Sequence, residues 1–400
     1  MRVTMLAASA RLGGAERVVL ECIHALTSRG IECTLLALED GPLHERAMAA
    51  GARRTDAVPL PRGLATLGDA LRSRGETVLR LMGSAPSLPT YMRRFRRALC
   101  DHGPDVIQSH GIKTHVLATL LPSPAPVVWH VHDYVGLRPA SAALLTRLAR
   151  RCRLAIAVSA SVSDDMRSWL PGSTSVVVAH NAVDAERFAP GGSRLDLDRA
   201  AGLPAAAEGT LRVGLPATFA RWKGHEVFLK AMAALDRDDV RGYVIGGPIY
   251  QTADGQWSEP ELRQMVAELG LGQRVGLTGF IDDMPAAYRS LDVVVHASTQ
   301  PEPFGLVVAE AMAAGRPVVT SGIGGTAEVF EDGVDAVRFR ASDSTALAGT
   351  LDSLLADPAR REALGRQARD RVKTRFGRDA LARVLVPALT AIAAREKTFA

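Results

Sequence analysis

Short apolar runs of strand length recur from one end of the chain to the other, and each is followed by a stretch with helical periodicity. A parallel strand buried on both faces reads as a near-continuous apolar run, and its neighbour is reached through a crossover helix. The alternation therefore dictates parallel sheets clad with helices on both faces. In the first half the runs are Val3 to Ala7, Cys33 to Leu38, Val106 to Ser109, Val127 to Val131, Leu154 to Ser159 and Val176 to Ala179. The second half repeats the scheme at Leu211 to Leu215, Gly242 to Gly246, Val275 to Thr278, Val293 to His296 and Pro317 to Thr320. Four hundred residues exceed one core of this kind. The expectation is two Rossmann-like α/β domains, residues 1–190 and 210–377, joined by a turn-rich linker over 191–209. The periodic tail 378–400, with Pro387 inside it, can cross back to the first domain or pack on the second.

Composition removes several classes. Hydrophobic residues make up 47% and charged residues 23%, the balance of a globular chain, which excludes disorder, collagen and coiled coil. The net charge is +5, carried almost wholly by arginine; the lysines are Lys113, Lys223, Lys230, Lys373 and Lys397. With 5% aromatics, no zinc-finger spacing and no aromatic-basic motif, nucleic acid is not an expected partner. Cys22, Cys33, Cys100 and Cys152 are scattered without a C-x-x-C pair and read as four buried thiols of a cytosolic protein. The apolar N-terminal run is broken by Arg11 and a Gly pair and reads as a first strand, and no apolar stretch has membrane-span length without prolines. A cytoplasmic location is expected, with contact to a membrane surface left open. The irregular segment 61–100 carries Arg62, Arg72, Arg74 and Arg80, then Arg93, Arg94, Arg96 and Arg97 beside an apolar stripe of Tyr91, Met92, Phe95 and Leu99. That pattern suits either a basic amphipathic helix on anionic lipid or a lipid-phosphate acceptor, or a solvated helix face.

The strongest chemical signal is EPFGLVVAE followed by AMAAGRPVVTSGIGGTAE. If a helix begins near Phe304 or Gly305, Glu302 lies in the loop before it and Glu310 projects from its second turn. The free N–H groups of Phe304, Gly305 and Leu306 can then receive an anion or sugar hydroxyls, while a carboxylate in the second turn can accept from a diol such as ribose. Gly13 and Gly14 follow the first strand and open a helix, a setting in which the backbone can approach a ligand closely. His130 and His132 alternate along WHVHD and share one side of their strand. His110 ends another strand, with Lys113 after it, at the edge where open α/β sheets bind ligands.

On these residues, with GGAER at Gly13 to Arg17, VHD at Val131 to Asp133, HNAVD at His180 to Asp184 and WKG at Trp222 to Gly224, nearly the whole chain resembles the retaining glycosyltransferases of family four. The resemblance implies the GT-B architecture, two Rossmann-like domains facing across a cleft, and the transfer of a hexosyl unit from a nucleotide sugar to an acceptor hydroxyl. Glu302 matches the carboxylate that contacts donor-sugar hydroxyls, and Glu310 the one that holds the ribose. Lys223 matches the lysine that neutralises the donor diphosphate as the leaving group gains charge. His132 matches the histidine near the donor sugar, whereas His130 is as readily a core histidine. The family's arginine five residues before that lysine is replaced by Thr218, which leaves Arg221 as a substitute phosphate ligand. Gly13 and Gly14 then face donor and acceptor. Ser298, Gly325 and Thr326 flank the diphosphate and sugar, Glu328 has a structural place at a helix start, and Thr278 and Phe280 border the base.

The implied reaction is a front-face displacement through an oxocarbenium-like state, with no side chain acting as general base. No Asp-x-Asp motif stands in the matching cleft, so no metal and no cofactor are expected beyond a UDP- or GDP-sugar co-substrate. The acceptor is open among a glycan, a lipid-linked molecule and a small molecule, and the oligomeric state is open as well. A nucleotide-sugar epimerase and a glycan phosphorylase share such scaffolds. A non-catalytic nucleotide-sugar-binding scaffold and a peripheral membrane-binding protein are the alternatives from other classes; neither needs Lys223, Glu302 and Glu310 together.

Overall fold

The computed structural model describes residues 1–61, 87–120, 122–248 and 255–397. The chain forms two compact units, Met1–Ala182 with Arg378–Ala400, and Val183–Gly377. The first holds a seven-stranded sheet in the order β3-β2-β1-β4-β5-β6-β7, with every pair parallel. Its strands are β1 (Arg2–Ala7), β2 (Glu32–Ala37), β3 (Arg54–Ala57), β4 (Val106–His110), β5 (Val127–Val131), β6 (Cys152–Ala157) and β7 (Val176–Val178). The second holds a six-stranded parallel sheet in the order β10-β9-β8-β11-β12-β13. These strands are β8 (Leu211–Pro216), β9 (Val240–Ile245), β10 (Val275–Gly279), β11 (Val293–His296), β12 (Val318–Thr320) and β13 (Val337–Arg338).

All eleven apolar runs are strands, and all but the edge strand β7, whose three residues are half-buried, are largely buried as a parallel sheet demands. Two strands carried no such signal. β3 reads Arg-Thr-Asp-Ala because it is an edge strand without a fully buried residue, and β13 is only two residues long. In each sheet the strand order reverses beside the first strand of the unit, between β1 and β4 and between β8 and β11. Ligands of open α/β sheets bind beyond the carboxyl ends of strands at such a reversal.

The turn-rich stretch expected as a linker belongs to the second unit instead. It contains the helix Leu197–Ala201, capped by the Asp196 side chain, and buried Asp198 accepts from Arg241 Nη1 and Tyr243 Oη at 2.7 Å each. A five-residue helix is too short to show a period, which is why turn formers dominated the sequence signal. The terminal helix Arg378–Lys397 belongs to the first unit, where Leu381, Leu385 and Leu389 are buried and Arg378 grips Glu21 with two nitrogens at 2.6 and 3.1 Å.

Two surface expectations are corrected. Tyr91, Met92, Phe95 and Leu99 lie on the helix Leu88–His102, but all four are buried, and Tyr91 Oη donates to the Val58 carbonyl at 3.1 Å. The stripe is core of the first unit and is not available to lipid, whereas Arg93, Arg94, Arg96 and Arg97 face solvent. The basic positions Arg62, Arg72, Arg74 and Arg80 lie outside the described residues. Cys22, Cys33 and Cys152 are buried free thiols, whereas Cys100 is exposed, because it falls on the polar side of that same helix.

Candidate active site

The second unit places its charged residues at the reversal between β8 and β11. After β8 the chain runs through Thr218 to a single turn, Arg221–Lys223, and closes it with Gly224 in the left-handed region at φ 76°. A Cβ at Gly224 would stand 1.9 Å from the Ala297 carbonyl oxygen, so only glycine lets this turn lie directly against the loop after β11. Thr299 staples the two together, its backbone N–H donating to the Trp222 carbonyl at 2.7 Å and its hydroxyl to the same oxygen at 3.1 Å. This contact sets Lys223 beside Glu302.

Three donors converge on one carboxylate oxygen. Lys223 Nζ and His296 Nε2 each lie 2.7 Å from Glu302 Oε1, and the Ser298 hydroxyl donates to the same atom. The Glu302 backbone is held by Ile323 and Gly325 through N–H to O bonds of 3.2 and 2.8 Å. Burial by itself would raise the pKa of this carboxyl, which is 6% exposed, but Lys223 and then His296 outweigh it and hold Glu302 far below the ordinary carboxylate range. Lys223 Nζ also sits 4.2 Å from the Trp222 ring centre.

Beyond Glu302, Gly305 adopts φ 92° and caps the helix Leu306–Ala313; a Cβ there would press within 2.7 Å of the Thr326 hydroxyl. The buried Thr326 Oγ1 has no hydrogen-bond partner among the described residues. The Phe304 ring packs edge-on against Phe376, so only the backbone of Phe304 belongs to the helix start, and Leu306 is half-buried. Glu310 lies in the second turn as the spacing required, buried, its Oε2 accepting from Tyr288 Oη at 3.1 Å. Thr278 and Phe280 stand at the end of β10, with Phe280 63% exposed and Gly247 directly beneath its ring.

Arg221 is placed differently from expectation. Its guanidinium lies 3.8 Å from the Trp257 ring centre and donates to Glu261 Oε1 at 2.9 Å, so the structure holds it on the helix Glu259–Glu268 and not with Lys223 and Glu302. Sequence reasoning missed His296, which counted only as the last residue of a strand; its signal was a polar ring ending an otherwise apolar run six residues before Glu302.

In the first unit the corresponding reversal gathers neutral groups. The rings of His110, His130 and His132 cluster with centres 4.6 to 5.1 Å apart, His132 stacking on each of the other two. His110 Nδ1 and His132 Nε2 share a hydrogen bond of 2.9 Å, and His130 Nδ1 accepts from Gln108 Nε2 at 2.9 Å, which makes His130 a core histidine. Desolvation lowers all three pKa values, that of His132 to about 4, so the rings are uncharged near neutrality. His110 Nε2, His130 Nε2 and His132 Nδ1 are buried without a hydrogen-bond partner among the described residues. Ligand-capable atoms of Cys22, His110 and His130 lie within 4.8 Å of one another, though burial raises the Cys22 thiol pKa and keeps it protonated. Gly13 precedes the helix Gly14–Thr27 at the end of β1, and Lys113 lies one turn after His110, near Glu39.

Two family models match the chain in succession, Glycosyltransferase Family 4 over residues 12–187 and Glycosyl transferases group 1 over residues 205–371, between them most of its length. D-inositol 3-phosphate glycosyltransferase of Salinispora tropica is 38% identical over 156 residues, 36% of this chain and 31% of that protein. The protein of the same name from Corynebacterium glutamicum is 31% identical over 233 residues, 55% of this chain and 53% of the other. The matches thus span between about a third and a half of these relatives' length. Among solved structures, Anabaena Alr3699/HepE in complex with UDP-glucose superimposes with a TM-score of 0.80 at 23% identity, over 98% of this chain and 100% of the other. Sucrose-phosphate synthase from Thermosynechococcus elongatus gives 0.76 at 20% identity, over 98% and 99%. The two-sheet fold is that of GT-B glycosyltransferases. With both of its units matched in order, the chain belongs to the group 1 glycosyl transferases of family four.

Proposed function

We propose that the protein is a retaining hexosyltransferase that takes its donor as a nucleotide-diphosphate sugar, with UDP as the base carrier, and delivers the sugar to an acceptor hydroxyl. The observation that carries this reading is the contact of Lys223 with Glu302 at the carboxyl edge of the second sheet, one helix end away from Glu310. A diphosphate needs a cation, a pyranose needs a hydrogen-bond acceptor for its hydroxyls, and a ribose needs another. Lys223 supplies the cation, and Glu302 and Glu310 the two acceptors. The UDP-glucose named for the Anabaena structure supports the choice of base.

In the reaction the bond between the anomeric carbon and the diphosphate oxygen breaks as the acceptor oxygen approaches the same face. The acceptor's proton passes to the departing phosphate oxygen, and Lys223 stabilises the charge that develops there. Glu302 is ionised and already receives three donors, so its place is at the sugar hydroxyls and not as a nucleophile. Lys223 and helix-start N–H groups do the work that a metal does elsewhere. In the first unit the ring of His132 is neutral and adds no charge. The acceptor is a glycan, a lipid-linked molecule or a small molecule. Proton NMR of incubations with UDP-, GDP-, ADP- and dTDP-α-glucose in the presence of EDTA tests all of this together. An α-configured product from one of the four supports the reading. A β-configured product overturns the stereochemistry, and turnover only after adding Mg²⁺ or Mn²⁺ overturns the metal-free reaction.

A further inference from the structure

His296 is 4% exposed and stands between Glu302 and Thr320 at the carboxyl end of β11, with the Ser298 hydroxyl 3.2 Å from its Nε2. Its Nε2 faces Glu302 Oε1 at 2.7 Å, and an ionised carboxylate only accepts, so Nε2 carries the hydrogen. On the other side Nδ1 lies 3.0 Å from Thr320 Oγ1, and that hydroxyl oxygen already accepts the backbone N–H of Gly322 at 3.0 Å. A continuous chain of hydrogen bonds results, from the Gly322 N–H through the Thr320 hydroxyl and the His296 ring to Glu302.

Lys223 and His296 are not equivalent partners of Glu302. In the proposed function Lys223 has a second task at the donor diphosphate, and its side chain is 17% exposed, with a flexible stem that can turn to it. The His296 ring is locked by Thr320 on the far side and has no such alternative. We propose that His296 is a positioning residue that, through its Nε2–H, fixes the direction in which the Glu302 carboxylate meets the donor sugar while Lys223 engages the diphosphate. This inference rests on the donor-site reading above. It separates sugar recognition, which depends on His296, from diphosphate recognition, which does not.

The experiment compares His296→Gln, whose side-chain amide can restore a donor near the Nε2 position, with His296→Asn, whose amide reaches only the Nδ1 position. Dissociation constants are measured by calorimetry for wild type and both variants with UDP-, GDP-, ADP- and dTDP-glucose and with the four nucleoside diphosphates. Losing one hydrogen bond to a charged group should weaken the bound nucleotide sugar by about 10- to 100-fold in His296→Asn. His296→Gln should stay within about threefold of wild type, and the matching nucleoside diphosphate should bind all three proteins alike. Equal loss in both variants, or a parallel loss of the nucleoside diphosphate, overturns the inference by showing a merely structural role. A wild type that binds one nucleotide sugar and a His296→Asn that binds it equally well overturns the inference and leaves the donor site standing. A wild type that binds none overturns the donor site and the inference with it. Independently of any variant, ¹⁵N spectra of the histidine rings in wild type should show His296 carrying a proton on Nε2; a ring without a proton on Nε2 overturns the proposal.

Discussion

At the strand-order reversal of the first sheet, His110 and His132 share one proton between two neutral rings, while at the same place in the second sheet Lys223, His296 and Ser298 direct their donors at a single ionised oxygen. The two units have the same kind of sheet and the same edge open to chemistry, yet opposite electrostatic solutions. The first lets burial win and holds its rings uncharged. In the second, burial is opposed by a lysine brought in through Gly224, and the carboxylate stays charged. The difference teaches that a shared topology fixes where polar groups gather, whereas the local partners fix their charge: neutral rings in one case, an ionised carboxylate in the other.

Removing the charged centre should have the largest effect. Glu302→Ala leaves a partly buried lysine without its carboxylate, so the second unit should lose roughly 3–5 kcal/mol and sugar transfer should fall by about 10²- to 10³-fold. Chemical denaturation followed by unit-resolved hydrogen exchange, together with turnover, measures both; unchanged turnover would remove Glu302 from the site.

Acid is the next way to separate the units. His102, His110, His115, His130 and His132 of the first unit all have lowered pKa values, against His225 alone in the second among the described residues. Between pH 6.5 and about 4 the unfolded chain takes up protons at these rings and the folded one does not, so stability falls as pH drops through that window. His132 at about 4 and His115 at about 3 each contribute on the order of a few kcal/mol. Glu302 has its pKa depressed from 4.5, so its contribution persists above that pH and declines only below it. Hydrogen exchange at pH 7, 5.5 and 4.5 should show the first unit opening before the second; the reverse order would contradict the burial argument.

Gly224→Ala sharpens the comparison by moving only the device that brings the cation in. A left-handed residue with a Cβ costs about 1–2 kcal/mol even without the clash on Ala297, and the displaced turn should weaken donor binding about tenfold. Arg221→Ala should do least. An exposed ion pair is worth about 0–1 kcal/mol, and donor affinity should change by no more than about twofold. A tenfold loss would show that Arg221 leaves Trp257 and Glu261 for the phosphates.

Much of this was legible in the sequence because it is local. The buried strands announce themselves as runs, and the spacing of Glu302 and Glu310 around one helix start is a property of eight consecutive steps of chain. The same holds for Lys223, one residue before a glycine that a tight turn needs. What escaped depends on partners distant in sequence. His296 gains its meaning from Thr320 and Glu302, and Arg221 is taken by Glu261, forty residues away, through a capping helix that no spacing rule links to it. The stripe of Tyr91, Phe95 and Leu99 was amphipathic as expected, but periodicity does not say whether the apolar face meets lipid or core, and here it meets core. Edge strand β3 was invisible because its solvent face carries the charges that a buried strand lacks.

The most direct measurement is calorimetric titration of wild type, Lys223→Ala and His132→Ala with UDP-, GDP-, ADP- and dTDP-glucose and the corresponding nucleoside diphosphates. If the second unit carries the charged donor site, one nucleotide binds the wild type, Lys223→Ala weakens both the sugar nucleotide and the bare diphosphate by about 10- to 100-fold, and His132→Ala leaves the bare diphosphate unaffected. Diphosphate binding that survives Lys223→Ala but disappears in His132→Ala would contradict this division of labour.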